Sequence, residues 1–146
     1  MSGFPRLAQV VLDTTDARRL AEFYREFLDL AYRPGDEPPP DGADDERGRS
    51  WLVLRTGDGH RALAFQQVEH LKETTWPHGA VPQQMHLDIA VADKAELARQ
   101  HERALRLGAV LREDRYDDPD EPLRIYADPA GHIFCVFVGT VTGEYL

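Results

Sequence analysis

The sequence has little that points to secretion, membrane insertion or a nucleotide cofactor. A single cysteine, Cys135, is present among 146 residues, so no disulfide can form within the chain, which is typical of a reducing compartment. No apolar run approaches the roughly 20 residues that span a bilayer. The N-terminus has no basic region followed by an apolar stretch, so it does not read as a secretory signal. Neither a P-loop nor a GxGxxG motif is present. We therefore expect a cytoplasmic protein.

Positive charge is also scarce. The chain has 17 Lys and Arg against 26 Asp and Glu, a formal net charge of -9, so we expect it to repel nucleic acid and anionic membranes. Much of the acid lies in two stretches, 36–46 and 113–121, which are predicted to be solvated loops. Apolar residues make up 42% of the chain, which is ordinary for one globular domain of this length.

The most informative pattern is an internal repeat at an offset of 77 residues, counted on the printed sequence. Segments 9–30 and 86–107 share a polar-first strand, an Asp before a helix, and apolar helix positions. Two unrelated amphipathic helices could match by chance, but the shared strand and the shared Asp argue against this. The matched positions are Gln9 to Leu12, Asp16, Leu20, Ala21, Leu28 and Leu30 with His86 to Ile89, Asp93, Leu97, Ala98, Leu105 and Leu107.

Each copy reads as a strand followed by a helix. Residues 7–13 are β-branched and apolar, as a half-buried strand requires. Thr14, Thr15 and Asp16 offer capping side chains for the first helix. In the second copy Asp93 and Glu96 have capping-box spacing, and Gly108 is placed to end the helix in a left-handed conformation. Apolar side chains then recur at helical spacing, with Leu97, His101, Ala104 and Leu105 predicted to form one face of the second helix.

Three further strands are predicted after each helix. The predicted strands are 31–32, 51–55 and 62–68 in the first copy, and 110–112, 123–127 and 133–138 in the second, with turns at 56–59 and 128–131. The proline-rich segment 34–48 is interpreted as an inserted, mobile loop. The pattern predicts an α+β fold of two βαβββ modules in a single domain, 1–146: module 1 at about 5–70, a linker at 71–82, and module 2 at about 83–140.

Four motifs stand out in the two copies: QVVL at 9–12 with Asp16, LAEFY at 20–24, MHLDIAV at 85–91, and DPAGHIFCV at 128–136. They resemble those of the vicinal oxygen chelate superfamily of glyoxalases, extradiol dioxygenases and bleomycin-resistance proteins, most closely its glyoxalase-like branch. The resemblance implies that the modules form curved mixed sheets around a small-molecule cleft. It also implies a homodimer.

The resemblance places the family's four metal ligands at Gln9, Ala64, His86 and Cys135. Ala64 has no donor atom, and a slip of two residues would substitute Gln66, which is not a carboxylate either. Cys135 offers a thiol, which suits zinc rather than hard, oxygen-preferring ions. We therefore expect no cofactor. A divalent metal stays open as the alternative, with Gln9, His86 and Cys135 as its ligands.

Because side chains alternate between the two faces of a strand, the remaining candidate site residues can each be assigned to one face of a sheet. His86 and Asp88 are predicted to point the same way, either as a catalytic pair or as a polar pair that satisfies itself. Cys135 is interpreted either as an activated nucleophile or as an unreactive side chain packed in the interior. Trp51 reads as a stacking residue or as core, and His101 as a packed, satisfied histidine. The residues expected to contact ligand are Gln9, Trp51, Ala64, Gln66, Tyr126, Cys135 and Phe137.

These features favour a protein that binds or sequesters a small molecule without a metal. The alternative is a metal-dependent lyase, isomerase or dioxygenase with an altered ligand set, in which His86 and Asp88 act in catalysis. A third hypothesis, from another class, is a structural or interaction module whose fold has lost its ligand.

Overall fold

The computed structural model describes residues 3–141 and divides the chain into two compact units, residues up to Leu71 and residues from Lys72. Over these described residues each unit contains one α-helix and one four-stranded sheet. Neither of the two α-helices is long and apolar enough to cross a bilayer. The α+β class and the repeated βαβββ order are therefore confirmed.

The first unit carries its helix between the first two strands. Its elements are β1 (Val10–Thr14), α1 (Ala17–Phe27), β2 (Ala31–Tyr32), β3 (Trp51–Arg55) and β4 (Arg61–Gln67), with a short 3-10 helix at Arg47–Arg49. The strand order is β1-β4-β3-β2, in which β1 pairs with β4 in parallel and the other pairs are antiparallel.

The second unit repeats this arrangement. Its elements are β5 (His86–Val91), α2 (Lys94–Leu107), β6 (Val110–Arg115), β7 (Leu123–Ala127) and β8 (Ile133–Val138). The strand order is β5-β8-β7-β6, again with one parallel pair, β5 with β8. The same local sequence pattern has therefore produced the same sheet topology twice.

Of the three candidate caps before α1 the structure selects Asp16, and Asp93 caps α2 as predicted, whereas the Glu96 carboxylate accepts from Gln100 instead of completing a capping box. The Asp16 side chain accepts from the Arg19 amide at 3.1 Å, and the Asp93 side chain accepts from the Glu96 amide at 2.8 Å. Each carboxylate satisfies an amide that the first helical turn leaves unpaired. Gly108 ends α2 with a φ of 113°, which an L side chain adopts only with strain.

Two strand boundaries differ from the prediction by three residues, and the other differences are of one residue. β1 begins at Val10 rather than at residue 7, and Leu7 is almost fully exposed. β6 continues to Arg115 because Asp114 pairs across the ladder with Arg124, and its carboxylate accepts from the Arg124 Nε at 3.1 Å. The prediction that residues 113–121 form a solvated loop is therefore wrong for 113–115.

The core of each unit lies where the helix contacts the sheet. In α1 the apolar residues at helical spacing are buried, and the Tyr24 ring stacks on Phe65 of β4 with centroids 6.0 Å apart. In α2 Leu97 and Ala104 are buried, whereas Leu105 is exposed, so its predicted place on the core face is wrong. Burying a leucine or phenylalanine side chain stabilises the fold by about 1.5–3 kcal/mol.

The segment 34–48 is tied to the first sheet through Asp36. This residue has no exposed surface, and its carboxylate accepts from Arg33, from Arg47 and from the backbone amide of Val53 at 3.0 Å. Arg18 of α1 donates to the Asp36 carbonyl at 2.6 Å. The prediction of a solvated acidic stretch is therefore wrong at Asp36, because the partners on the sheet and in the loop compensate the buried charge.

Candidate functional site

The second unit contains an open pocket of about 330 Å³. Apolar and aromatic side chains share its wall with five ionisable ones. The lining residues are Trp76, His86, Asp88, Arg115, Glu121, Leu123, Ile125, Cys135 and Phe137.

Strand register brings these residues to one face of the sheet. Asp88 of β5 lies opposite Cys135 of β8, and Cys135 lies opposite Ile125 of β7. Because side chains alternate between faces along a strand, His86 and Phe137 emerge on the same side as their neighbours two positions away. The alternation predicted from the sequence for these two strands is thus the one that the structure shows.

An apolar cluster forms the floor of the pocket. Ile125, Ala127, Ile133 and Cys135 are buried together, and Trp76 and Leu123 pack against them. Trp76 comes from the segment that precedes β5, and its ring lies nearly parallel to that of His86, at 8° with centroids 6.4 Å apart. The floor therefore excludes water on one side while the rim carries the polar groups.

His86 and Asp88 are in direct contact. The Nε2 atom of His86 lies 3.2 Å from a carboxylate oxygen of Asp88, and the two side chains are 39% and 60% exposed. A carboxylate at this distance fixes the orientation of the imidazole. This geometry is compatible with both predicted roles, the catalytic pair and the self-satisfied polar pair.

Cys135 is a protonated thiol at neutral pH. Burial raises its pKa to about 11, and the carboxylates of Asp88 and Glu121 act in the same direction while Arg115 opposes them. A nucleophilic cysteine needs a lowered pKa, because the thiolate is the reactive form. The structure therefore favours the packing interpretation of Cys135 over the activated nucleophile.

The donors of His86, Asp88 and Cys135 all lie within 4.8 Å of one another. Imidazole, carboxylate and thiolate together form a ligand set typical of zinc. They do not fit a hard ion such as Mn²⁺, which prefers oxygen ligands. The four positions that the resemblance assigned to a metal fit less well, because Ala64 offers no donor atom. Within the second unit, Asp88 is the third residue whose donor atom lies beside those of His86 and Cys135.

Four of the predicted ligand-binding residues lie in the first unit: Gln9, Trp51, Ala64 and Gln66. Trp51 starts β3 and pairs with Gln66, which is exposed, while Ala64 pairs with Val53 and is completely buried. Gln9 directly precedes β1, and its side-chain oxygen is buried without a hydrogen-bond partner among the described residues.

Tyr126 lies behind the pocket, on the opposite face of the second sheet. It is completely buried, its ring stacks on Phe134 with centroids 5.1 Å apart, and its hydroxyl lies 2.8 Å from Nδ1 of His101. Burial raises the pKa of Tyr126. Tyr126 is therefore a core residue of the helix-facing side, although the sequence suggested a ligand contact, and His101 is the satisfied histidine that the sequence predicted.

Five pocket residues were missed by the sequence reading: Trp76, Arg115, Glu121, Leu123 and Ile125. Alternation through β7 could have identified Leu123 and Ile125, since both share the face of Cys135. Arg115 and Glu121 were hidden because the acidic stretch around them was taken as a loop. No local sequence signal identifies Trp76 as a pocket residue. It reaches the pocket from the segment of the second unit that precedes β5.

The sequence profile of the Glyoxalase-like domain matches residues 9–137. No curated protein sequence matches the chain significantly.

Solved structures of similar fold cover almost the whole chain. The fosfomycin resistance protein FosX from Mesorhizobium loti has a TM-score of 0.63 at 19% identity, over 95% of this chain and 96% of that one. A glyoxalase/bleomycin resistance protein/dioxygenase family enzyme from Burkholderia phytofirmans PsJN has a TM-score of 0.63 at 16% identity, over 92% and 98%. FosX from Listeria monocytogenes, complexed with Mn(II) and a sulfate ion, has a TM-score of 0.61 at 16% identity, over 94% and 95%. The profile match over residues 9–137 shows that this chain belongs to the glyoxalase-like domain family.

Proposed function

We propose that the protein binds a small molecule in the pocket of its second unit. The observation that carries this proposal is the combination of a buried apolar floor with several ionisable groups at the rim. Ligand pockets have this composition in general, because apolar area supplies affinity and a few polar groups fix orientation. A volume of about 330 Å³ accommodates a compact ligand rather than a polymer.

We further propose that this binding does not depend on a manganese-type metal centre. Ala64 has no ligand atom, and the thiol of Cys135 replaces the carboxylate that the resemblance implies at its position. A thiol whose pKa is raised to about 11 is a poor partner for a hard cation at neutral pH. These two positions therefore do not offer the oxygen ligands preferred by an ion such as the Mn(II) of the Listeria FosX structure.

The test is a ligand screen on protein freed of metal with EDTA. Aromatic and antibiotic-like compounds are added one at a time and binding is followed by calorimetry. We expect hits whose affinity falls at least about tenfold in His86→Ala, because that change removes a wall of the pocket. His60→Ala is the matched control, since His60 is 82% exposed and lies in a turn of the first unit.

Two outcomes of this screen would contradict the proposal. One is the absence of any binding at millimolar ligand concentration. The other is a set of hits that bind His86→Ala as tightly as the unchanged protein, which would place the binding site outside this pocket.

A second candidate function is supported by the cluster of His86, Asp88 and Cys135. A zinc-type ion held by these three residues would supply Lewis-acid chemistry and leave a position open for substrate, as in metal-dependent lyases and isomerases. Elemental analysis after incubation with zinc, nickel, manganese and ferrous salts distinguishes the two candidates. About one zinc ion per chain, lost in His86→Ala and in Cys135→Ser, would favour the metal-dependent function. No retained ion under any condition would eliminate it.

We also propose that the two units act as one domain and that the chain forms a homodimer, as the family resemblance implies. Sedimentation at working concentration should give about twice the chain mass of 16.6 kDa. A monomer would overturn the second part of this proposal.

A further inference from the structure

The pocket carries more negative than positive charge. Asp88 and Glu121 contribute two carboxylates to its lining, and Arg115 contributes one guanidinium. The Arg115 guanidinium is already paired with the carboxylate of Glu113 at 3.3 Å. Among the described residues no side chain forms an ion pair with Glu121, and Asp88 is paired only with His86.

Asp88 and Glu121 lie in the lining of the same pocket. A positive group that enters the pocket is therefore stabilised by these two carboxylates, because opposite charges attract more strongly in a site partly withdrawn from water.

Aromatic side chains line the same space. Trp76 and Phe137 contribute rings to the wall, and Trp76 also packs against the apolar cluster of the floor. Aromatic faces attract cations as well as flat apolar groups. The rings of the wall therefore suit a ligand that contains an aromatic ring, and the carboxylates of the pocket suit a ligand that carries a positive charge.

We infer that the ligand of this pocket is a compact aromatic amine, bound in its protonated form. The inference rests on the proposed small-molecule function and adds the ligand's charge to it. The ammonium group contacts Asp88 and Glu121, while the ring occupies the apolar part near Trp76 and Phe137. An anionic ligand is disfavoured, because it would meet two carboxylates and a guanidinium that Glu113 already neutralises.

The experiment compares three probes that share an indole ring and differ in charge: tryptamine, tryptophol and indole-3-acetate. Each is titrated by calorimetry into the full-length protein in the presence of EDTA. We expect tryptamine to bind about tenfold more tightly than tryptophol, a modest ratio because the Asp88 side chain is 60% exposed. Indole-3-acetate should bind most weakly. The advantage of tryptamine should shrink when the salt is raised from about 0.05 M to about 0.5 M, since salt screens exposed charges.

Isosteric variants test whether Asp88 and Glu121 cause the preference for tryptamine over tryptophol. Asp88→Asn and Glu121→Gln should each reduce the ratio of tryptamine to tryptophol affinity, and the double variant should bring it close to one. Asp117→Asn removes the same charge from an exposed position of the same unit, where the side chain is 95% exposed and does not line the pocket. This control should leave the ratio unchanged.

The possible results separate the two proposals. If tryptophol or indole-3-acetate binds as tightly as tryptamine, the aromatic-amine inference is refuted and the small-molecule function stands. If tryptamine keeps its advantage in the double variant, the assignment to Asp88 and Glu121 is refuted. If none of the three probes binds and the wider screen also fails, both proposals are refuted.

Discussion

Replacing Asp36 should destabilise the protein far more than replacing any exposed acidic residue of the same loop. The Asp36 side chain has no exposed surface, and it forms ion pairs with Arg33 at 3.1 Å and with Arg47 at 3.0 Å. It also accepts from the buried amide of Val53 in β3. In Asp36→Ala the two arginines lose their shared partner, and the Val53 amide is left without an acceptor in a place that water does not reach.

The magnitude follows from these contacts. Removing one partner of a buried ion pair costs about 3–5 kcal/mol. The arginine side chains are 32% and 59% exposed and can regain water, which places the ion-pair loss near the lower end. A buried amide without a partner costs about 1–3 kcal/mol. We therefore expect Asp36→Ala to lower the free energy of unfolding by about 4 kcal/mol. Asp36→Asn keeps an oxygen for Val53 but removes the charge that the two arginines share, so it should lose about 3 kcal/mol.

Urea unfolding followed by circular dichroism measures both losses. The matched control is Asp44→Ala, since Asp44 pairs with Arg49 in the same loop but the two side chains are 72% and 61% exposed. Exposed pairs of this kind contribute at most about 1 kcal/mol. If Asp36→Ala unfolds at the same urea concentration as Asp44→Ala, the structural role assigned to Asp36 is incorrect.

Three further predictions concern single residues. Alkylation of Cys135 by iodoacetamide should reach its half-maximal rate near pH 11, where the thiol ionises, and a midpoint near the ordinary value of about 8.5 would contradict the proposed burial effect. Tyr126→Phe should lower the free energy of unfolding by about 1 kcal/mol, because it removes the hydroxyl bonded to His101, and equal chemical denaturation curves would argue against that bond. Gly108→Ala should cost about 1–2 kcal/mol in thermal unfolding, because Gly108 has a φ of 113°, whereas Gly57→Ala, at a position with open space around it, should cost less.

Sequence patterns predicted the repeated elements well because those signals are local. Asp16, Asp93 and Gly108 act within one helical turn of their own position, so their roles can be read without knowing the rest of the fold. The turn at 128–131 is similar: its Gly131 has a φ of 94°, and a side chain there would meet Glu73. Only the contact with Glu73, which is distant in sequence, could not have been anticipated.

Residues whose environment depends on distant partners were predicted less well. Asp36 was read as solvated because its neighbours are polar, yet Val53 and Arg47 approach it from other segments. Leu105 has the correct spacing for the core face of α2 but is exposed. Tyr126 was assigned to the ligand side, whereas the ladder with β8 places it beside Phe134 on the helix side. In each case tertiary packing decided between environments that the local sequence leaves equally open.

The sequence by itself determined the α+β class, the two βαβββ modules and the shared face of His86, Asp88, Cys135 and Phe137. Helical and strand periodicity, together with capping residues, are sufficient for these conclusions. Only the tertiary structure decided that Trp76, Arg115 and Glu121 line the same pocket, and it gave the donor atoms of His86, Asp88 and Cys135 their separation of at most 4.8 Å. It also decided that the Cys135 thiol stays protonated. Burial and the summed field of neighbouring charges depend on groups brought together by strand pairing, and no single segment of the chain contains that information.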